Sequence, residues 1–225
     1  MTTEQATASS GRALSEAESK KLLADYGVPV VEEGTARTVE EARLAAEALG
    51  FPVVLKACGE GLTHKTELGL VCLGLADPGA VIRAAEEIEA RLPDGVTAEF
   101  LVQRQIQGRR EFLVGLTRDL QFGPCVSFGL GGVMTEALED VSFRVAPLQT
   151  VDAEEMIDDI RASKLLGPFR GEPAVDREIL VATLLGLSRL GLERDDVQEV
   201  DLNPLVVDSA TGRPVAVDAL VVLGE

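Results

Sequence analysis

The C-terminal part of the chain has two strand-like runs, 199–207 and 214–223, that flank a short turn. The first run begins with alternating polar and apolar side chains, and the second is apolar except for Asp218. Because successive side chains of a strand point to opposite faces, Glu199, Asp201 and Asn203 share one face, and the apolar residues between them share the other. The pattern predicts a β-hairpin with one polar face, so this end of the chain must fold as part of a sheet.

The turn determines which residues of this hairpin face each other. If Asp208 pairs with Arg213, then Asn203 lies opposite Asp218, and directly opposed side chains are about 5 Å apart at Cβ. Two oxygen ligands at that spacing, with Asp201 beside them, suit a hard divalent cation such as Mg²⁺. The alternative is a polar strand face that meets water. Asp218 favours the metal site, because it interrupts an apolar strand in which an unpaired carboxylate is costly to bury.

Lys56 ends the apolar strand 53–55 and stands just before a glycine-containing loop, 58–69. A lysine at such a place can hold phosphate oxygens while loop amides complete the contact. The alternative is a lysine whose stem follows the strand end and whose charge reaches water. Its position alone leaves both interpretations open.

His64 is the only histidine in the sequence and lies in the same loop, within the run THKT. Neutral imidazole is a competent nucleophile, so a loop histidine beside a phosphate site can carry a phosphoryl group. An ordinary surface histidine is the alternative.

Two further features have both a functional and a structural interpretation. The run 129–132, GLGG, lacks the spacing of a dinucleotide fingerprint, but its backbone could approach an anion closely or form a tight turn. Gln103 and Glu111 flank a hairpin-like connection, where they could bind a ribose or an adenine edge or simply solvate the turn.

Composition argues against several classes of function. The sequence has 38 acidic and 21 basic residues, a formal net charge of −17, which argues against nucleic acid and anionic lipid as partners. Aromatic residues make up 4% of the chain, too few to predict a base-stacking platform. The three cysteines lack a paired short spacing and the polar N-terminus is no signal peptide, so a reducing cytoplasm is the expected location.

Local patterns divide the chain into a tail and two lobes. Residues 1–13 are expected to form a flexible tail, and the first helix should begin at a capping box formed by Ser15 and Glu18. Mixed helices and strands follow, with a lobe boundary near residue 100. The sequence therefore predicts an α+β (mixed α/β) fold with one lobe at 14–100, which carries the loop after Lys56, and a second at 101–225, which carries the hairpin.

Six segments in a fixed order carry a resemblance to a known family: FPVVLK, THKTELG, FLVQRQIQGRREFLVG, FGLGGVMTEALEDVSFRVAPL, GPFRG, and EVDLNPLVV with VAVDAL. Together they resemble the ATP-grasp domain of NDP-forming acyl-CoA ligases, as in the β subunit of ADP-forming acetate–CoA ligase. The resemblance covers about residues 14–223, and the chain is more distantly similar to the β subunit of succinyl-CoA synthetase. Two positions depart from the family pattern: Glu67, where members often carry Asp, and Leu70, where a second glycine often follows Gly69.

The resemblance implies an ATP-grasp fold, in which two α+β lobes hold a Mg-nucleotide between them, with ATP or ADP as the substrate. It assigns the phosphates to Lys56, the adenine to Gln103 and the backbone around Ile106, and the ribose to Glu111. It assigns Mg²⁺ to Asn203 and Asp218, the pair that the hairpin register brings together, with Asp201 as a further candidate.

The resemblance also implies a role for His64 and a partner. In the family, acyl-CoA and phosphate yield an acyl phosphate, which phosphorylates a histidine of the CoA-binding subunit. The His64 equivalent then takes the phosphoryl group and passes it to ADP, and the pathway is reversible. This chain has one histidine, so the first one must belong to a CoA-binding α subunit, in an α2β2 or similar assembly, or to a fused domain.

Two other functions remain open at this stage. One is a different ATP-grasp ligase, which joins a carboxylate to an amine through an acyl phosphate made directly on ATP and has no need of His64. The other is a non-catalytic module that senses nucleotide. The sequence indicates neither which acid is activated nor whether ADP or GDP is preferred.

Overall fold

The structure is a computed structural model that describes residues 11–59, 68–92, 96, 98–132 and 138–224. The helices are α1 (Glu16–Asp25), α2 (Val39–Leu49), α3 (Pro78–Arg91), α4 (Thr150–Asp159) and α5 (Arg177–Glu193), with a 3-10 turn at Ser163–Leu166. The strands are β1 (Arg12–Ala13), β2 (Glu33–Ala36), β3 (Val53–Cys58), β4 (Val71–Leu75), β5 (Glu99–Arg104), β6 (Glu111–Asp119), β7 (Gly123–Leu130), β8 (Val141–Val145), β9 (Val197–Val207), β10 (Pro214–Ala216) and β11 (Leu220–Leu223).

The smaller sheet has the strand order β2-β5-β3-β4, and neighbouring strands are antiparallel. Alternate residues of β3, Val53, Leu55 and Ala57, pack into one core with α2 and α3. Side-chain caps begin both helices: Thr38 accepts a hydrogen bond from the Glu41 amide, and Asp77 accepts one from the Ala80 amide. The opposite face of this sheet, which carries Lys56, is free of these helices.

The larger sheet has the order β1-β11-β9-β6-β7-β8, and β10 pairs with β9. One face of it forms the main core with α1, α4 and α5. The core contains alternate apolar residues of β9, such as Val200 and Leu202, and a stacked pair of rings, Phe112 and Phe128, whose centroids are 5.5 Å apart. The other face carries the polar residues of β9 and contributes to the candidate site.

The N-terminal segment belongs to the larger sheet. The predicted capping box is present: Ser15 accepts a hydrogen bond from the Glu18 amide, and the Glu18 carboxylate accepts one from the Ser15 amide. Within the predicted flexible tail, however, Arg12 and Ala13 pair with Leu223 and Val222 of β11, so those two residues are part of the sheet. A backbone strand of two residues has too little side-chain pattern to be recognised from sequence.

Sheet membership does not follow the predicted lobe boundary near residue 100. All of β5 belongs to the smaller sheet, so the chain crosses to the larger sheet between Arg104 and Glu111. In addition, α1 packs on the larger sheet through Leu23, although it precedes the smaller one in sequence. As a division into domains, 14–100 and 101–225 remain proposals. Across the described ranges, no helix has the length and apolar character needed to cross a membrane.

Candidate active site

The C-terminal hairpin has the register that the turn predicts. The Asp208 amide donates to the Arg213 carbonyl at 2.9 Å, and β10 and β11 both continue that pairing against β9, with Leu220 opposite Asp201. The same register places Asn203 opposite Asp218, in the short gap between β10 and β11. The Val217 amide bridges this gap to the Pro204 carbonyl at 3.4 Å. The hairpin thus brings together the two oxygen-bearing side chains that were proposed as metal ligands.

Asn203 is oriented by the glycine-rich end of β7. Its side-chain oxygen accepts a hydrogen bond from the Gly132 amide at 2.9 Å. A carbonyl oxygen has two lone pairs, so this contact leaves one for a cation. On the opposing segment, Asp218 accepts a hydrogen bond from the Ala219 amide at 3.0 Å, and its carboxylate is half-buried. Both side chains are therefore held in place by backbone amides before any ligand binds.

Asp201 gives this face a negative potential. Although the residue is exposed at the surface, partial desolvation raises the pKa of its carboxyl to about 6, and the nearby carboxylates of Glu199 and Asp218 contribute to the rise. Three acidic side chains close together are unfavourable to ionise together, and a divalent cation relieves that cost. The donor set, one amide oxygen and carboxylate oxygens, is one that Mg²⁺ accepts.

Metal binding here would need ligands beyond the protein. Within the described ranges, no three side chains among His, Cys, Asp and Glu lie close enough to hold a metal ion. Mg²⁺ commonly takes only one or two protein carboxylates and completes its shell with water and substrate phosphates. The residues present therefore fit a cation that arrives together with a nucleotide.

Lys56 lies on the face of the smaller sheet opposite α2 and α3 and joins a buried cluster of charges. Its Nζ donates to Glu16 Oε1 at 2.7 Å and to the Val217 carbonyl at 2.9 Å. Val217 directly precedes Asp218, so one residue links the candidate phosphate ligand to the candidate metal ligand. The surface-lysine interpretation of Lys56 fails, because its side chain is 9% exposed and its ammonium is bonded inside the protein.

Gln103 belongs to the same cluster. Its Nε2 donates to Glu16 Oε1 and to Glu33 Oε2, both at 2.9 Å, so its side-chain amide is directed to these carboxylates. At the end of β5, the amides of Arg104 and Gln105 donate to the carbonyls of Glu32 and Pro52, respectively. The amide of half-buried Ile106 donates to none of the described residues. The proposed adenine contacts of Gln103 and Ile106 remain proposals, with the Ile106 backbone the better placed of the two.

Glu111 begins β6 and lies against the GLGG run. A methyl group at Gly132, where φ is +65°, would overlap the Glu111 carboxylate, and one at Gly131 would overlap the Phe112 backbone. These glycines therefore allow close approach between protein segments, and Gly132 gives its amide to Asn203. A cavity of about 500 Å³ opens beside Glu111 and is also lined by Phe169 and Arg170. This space fits the proposed ribose role of Glu111.

His64 lies outside the described residues, as do its neighbours in the run THKT. The described ends of its loop follow β3 and precede β4, next to Lys56. Its role as a phosphoryl acceptor therefore remains a proposal.

Two groups of site residues escaped the reasoning from sequence. Glu16 and Lys20 occupy one side of α1, four residues apart, and that spacing was a usable signal of an ion pair. Their burial against a strand 40 residues away could not be read from sequence. The second group is Arg110 and Glu172, a buried ion pair at 3.1 Å that supports the cavity wall.

Comparison with known proteins gives matches over nearly the whole chain. The profile of a family described as "ATP-grasp domain" matches residues 5–223. The chain is 39% identical over 218 residues to the β subunit of ADP-forming acetate–CoA ligase I of Pyrococcus furiosus, covering 94% of this chain and 92% of that subunit. It is 41% identical over 212 residues to ADP-forming acetate–CoA ligase I of Archaeoglobus fulgidus, where it covers 93% of this chain but 31% of that longer protein.

Solved structures agree as well. A dinucleotide-forming acetyl-coenzyme A synthetase 1 of Ca. Korarchaeum cryptofilum, in complex with coenzyme A and Ca-AMPCP, superposes with a TM-score of 0.89 at 40% identity, covering 94% of this chain and 93% of that one. A further structure of that synthetase contains Mg-AMPPCP and has its phosphohistidine segment pointing towards the nucleotide site.

These matches cover nearly the whole chain and define its class as an ATP-grasp domain. Within that class, the chain belongs to the family of ADP-forming acyl-CoA ligases, whose β subunits it matches from end to end. It spans less than a third of the length of the single-chain relatives.

Proposed function

We propose that this chain binds Mg-ADP or Mg-ATP and moves a phosphoryl group between the nucleotide and a CoA-binding partner. The overall reaction is that of an ADP-forming acid–CoA ligase: acid, CoA and ATP give acyl-CoA, ADP and phosphate, reversibly. One observation carries the proposal. The hairpin that brings Asn203 opposite Asp218 is joined to Lys56 through the carbonyl of Val217. The candidate cation site and the candidate phosphate-binding lysine are thus linked at the adjacent residues Val217 and Asp218.

Each of the described side chains would bind a different part of the Mg-nucleotide. Among the described residues Lys56 makes two side-chain hydrogen bonds, and an ammonium has three donors, so this set leaves one N–H for a phosphate oxygen. Asn203 and Asp218 would hold Mg²⁺, with Asp201 as the further candidate, and the bound ion would neutralise part of the phosphate charge. Glu111 would accept hydrogen bonds from the ribose hydroxyls, and the backbone at Ile106 would contact the adenine.

His64 is the proposed phosphoryl carrier. A nitrogen of neutral imidazole attacks the terminal phosphorus of ATP, the bond from that phosphorus to the bridging oxygen breaks, and ADP leaves with the electron pair. The reverse step returns the phosphoryl group to ADP. The solved structures of the Korarchaeum synthetase support this assignment, since their phosphohistidine segment is seen pointing towards the nucleotide site and in a phosphorylated state.

A CoA-binding partner completes the proposed enzyme. Relatives exist both as separate β subunits and as part of longer chains, which supports either a separate α subunit or a fused domain that carries the first catalytic histidine. An α2β2 assembly and a cytoplasmic location belong to the same proposal.

The test is the intact mass of the purified chain after incubation with Mg-ATP, compared with His64→Ala. An acid-labile phosphoryl adduct on the wild type but not on the variant is the expected result. If the adduct fails to form both with and without a CoA-binding subunit of a relative, while nucleotide still binds, the phosphohistidine role is overturned.

A further inference from the structure

The charge cluster beneath Lys56 is built around Lys20, a residue outside the nucleotide contacts proposed above. Lys20 is 1% exposed and is the largest of the fully buried side chains. Its Nζ donates to Glu16 Oε1 at 2.9 Å, to Glu33 Oε2 at 2.8 Å and to the Val217 carbonyl at 3.0 Å. These three bonds use every donor of the ammonium, so Lys20 has none left for a nucleotide.

Lys20 and Lys56 share two acceptors. Both donate to Glu16 Oε1, and both donate to the Val217 carbonyl. With Glu33 included, the described residues of the cluster supply two ammonium groups and two carboxylates, whose formal charges balance. A single lysine facing two carboxylates would direct all its donors to them. With Lys20 present, Lys56 donates one hydrogen bond to Glu16 and one to the Val217 carbonyl.

The cluster also joins three separate parts of the fold. Glu16 and Lys20 belong to α1, which packs on the larger sheet, while Glu33, Lys56 and Gln103 belong to strands of the smaller sheet. Val217 lies in the hairpin, directly before Asp218. Their mutual bonds therefore fix the smaller sheet relative to the segment that carries a candidate metal ligand.

We propose that Lys20 is a positioning residue for the nucleotide site. Lys20 pairs with the carboxylates of Glu16 and Glu33, so that Lys56 keeps a free N–H for phosphate. It also donates to the Val217 carbonyl, which keeps Asp218 opposite Asn203. This inference rests on the proposed function, because it assumes that Lys56 contacts a phosphate. It assigns no contact with substrate to Lys20 itself.

The test uses ADP, with and without Mg²⁺, titrated by calorimetry into the full chain. Lys20→Met should weaken ADP binding about tenfold, the cost of one misdirected charged hydrogen bond. Lys21→Met is the matched control, since it removes an exposed charge from the next position of α1, and it should bind ADP as the wild type does.

Because Lys20→Met leaves buried carboxylates underpaired, it could unfold the chain. The double variant Lys20→Met/Glu33→Gln removes one charge of each sign and retains the Lys56–Glu16 pair. It should keep the wild-type circular dichroism spectrum and still bind ADP about tenfold more weakly, because the Val217 carbonyl beside Asp218 has lost its Lys20 donor. If this double variant folds and binds ADP as tightly as the wild type, the positioning role is overturned.

Lysine-labelled NMR separates this inference from the proposed function. The sequence contains five lysines, so the side-chain signals of a chain labelled at lysine are few, and Lys56→Met assigns the one from Lys56. ADP should shift the Lys56 signal in the wild type, and loss of Lys20 should shift it in the absence of ADP. No shift with ADP in the wild type would overturn the nucleotide role of Lys56. A shift with ADP, but an unchanged Lys56 signal in the double variant, would overturn only the role of Lys20.

Discussion

The Gly132 amide donates a hydrogen bond to the side-chain oxygen of Asn203 at 2.9 Å, although 71 residues separate the two in sequence. This bond joins the glycine-rich end of β7 to the hairpin that carries the candidate metal ligands. A side chain at Gly132 would overlap the Glu111 carboxylate, at the start of β6, so Gly132 also lies close to Glu111. One glycine therefore sets the spacing between the proposed ribose and metal contacts.

Gly132→Ala should disturb both contacts. Its φ of +65° disfavours a side chain by about 1–2 kcal/mol, and the new methyl group would displace Glu111. We expect a lower melting temperature and weaker binding of Mg-ADP by about fivefold or more, measured by calorimetry. Gly123→Ala is the control, since Gly123 has φ +78° and open space around it. That variant should lose similar stability but bind Mg-ADP normally, and equal losses of affinity in the two would contradict the assignment.

Asn203→Ala and Asp218→Ala should each remove the Mg²⁺-dependent part of nucleotide binding. We expect the dissociation constant of ADP in Mg²⁺ to rise about tenfold or more, with little change in EDTA, because the lost oxygens face the cation. Glu199→Gln tests for a general charge effect, since Glu199 shares the strand face but lies four residues from Asn203. Unchanged affinity in both alanine variants would remove these residues from the metal site.

Lys56→Met should weaken binding of ADP whether or not Mg²⁺ is present. The variant loses a charge-assisted bond to phosphate, worth about 1.5–3 kcal/mol, or roughly tenfold to a hundredfold in affinity. It should also melt at a lower temperature, because Glu16 loses one of its buried cationic partners. Lys164→Met, at an exposed position, is the comparison. A variant that melts early but binds ADP normally would show that Lys56 is purely structural.

Ser15→Ala should destabilise the start of α1 by about 1 kcal/mol, as a lost N-cap does. Hydrogen bonds from the Ser15 hydroxyl and amide lower the pKa of Glu18 below its ordinary 4.5. A carboxyl with a lowered folded-state pKa stabilises above pH 4.5, and that contribution is lost as the pH falls through the lowered value. The difference in melting temperature between Ser15→Ala and the wild type should therefore shrink below pH 4.5. Ser15→Thr keeps both bonds and should behave as the wild type at every pH.

Sequence reasoning succeeded where local pattern determines structure. The turn at Asp208 and Arg213 was enough to predict the hairpin register, because a pairing of period two propagates from its turn. The capping box at Ser15 and Glu18 likewise follows from a four-residue motif.

The parts of the site that sequence could not supply depend on contacts between distant segments. The face of Lys56 follows from its strand, but its partners Glu16 and Val217 lie 40 and 161 residues away. No local pattern indicates that Lys20 is buried, since lysine is normally exposed. Sheet membership could not be read from sequence for the same reason: α1 precedes the smaller sheet in sequence but contributes Leu23 to the core of the larger one.

The pairing of Arg12 with Leu223 places the first and last strands of the described chain side by side. A further module linked ahead of β1 would therefore depart from the same corner of the fold as one linked after β11. A partner domain can therefore be fused before or after this chain and still reach the candidate site through a linker of similar length. Circular permutation through a short linker between these ends should also leave the nucleotide-binding surface undisturbed.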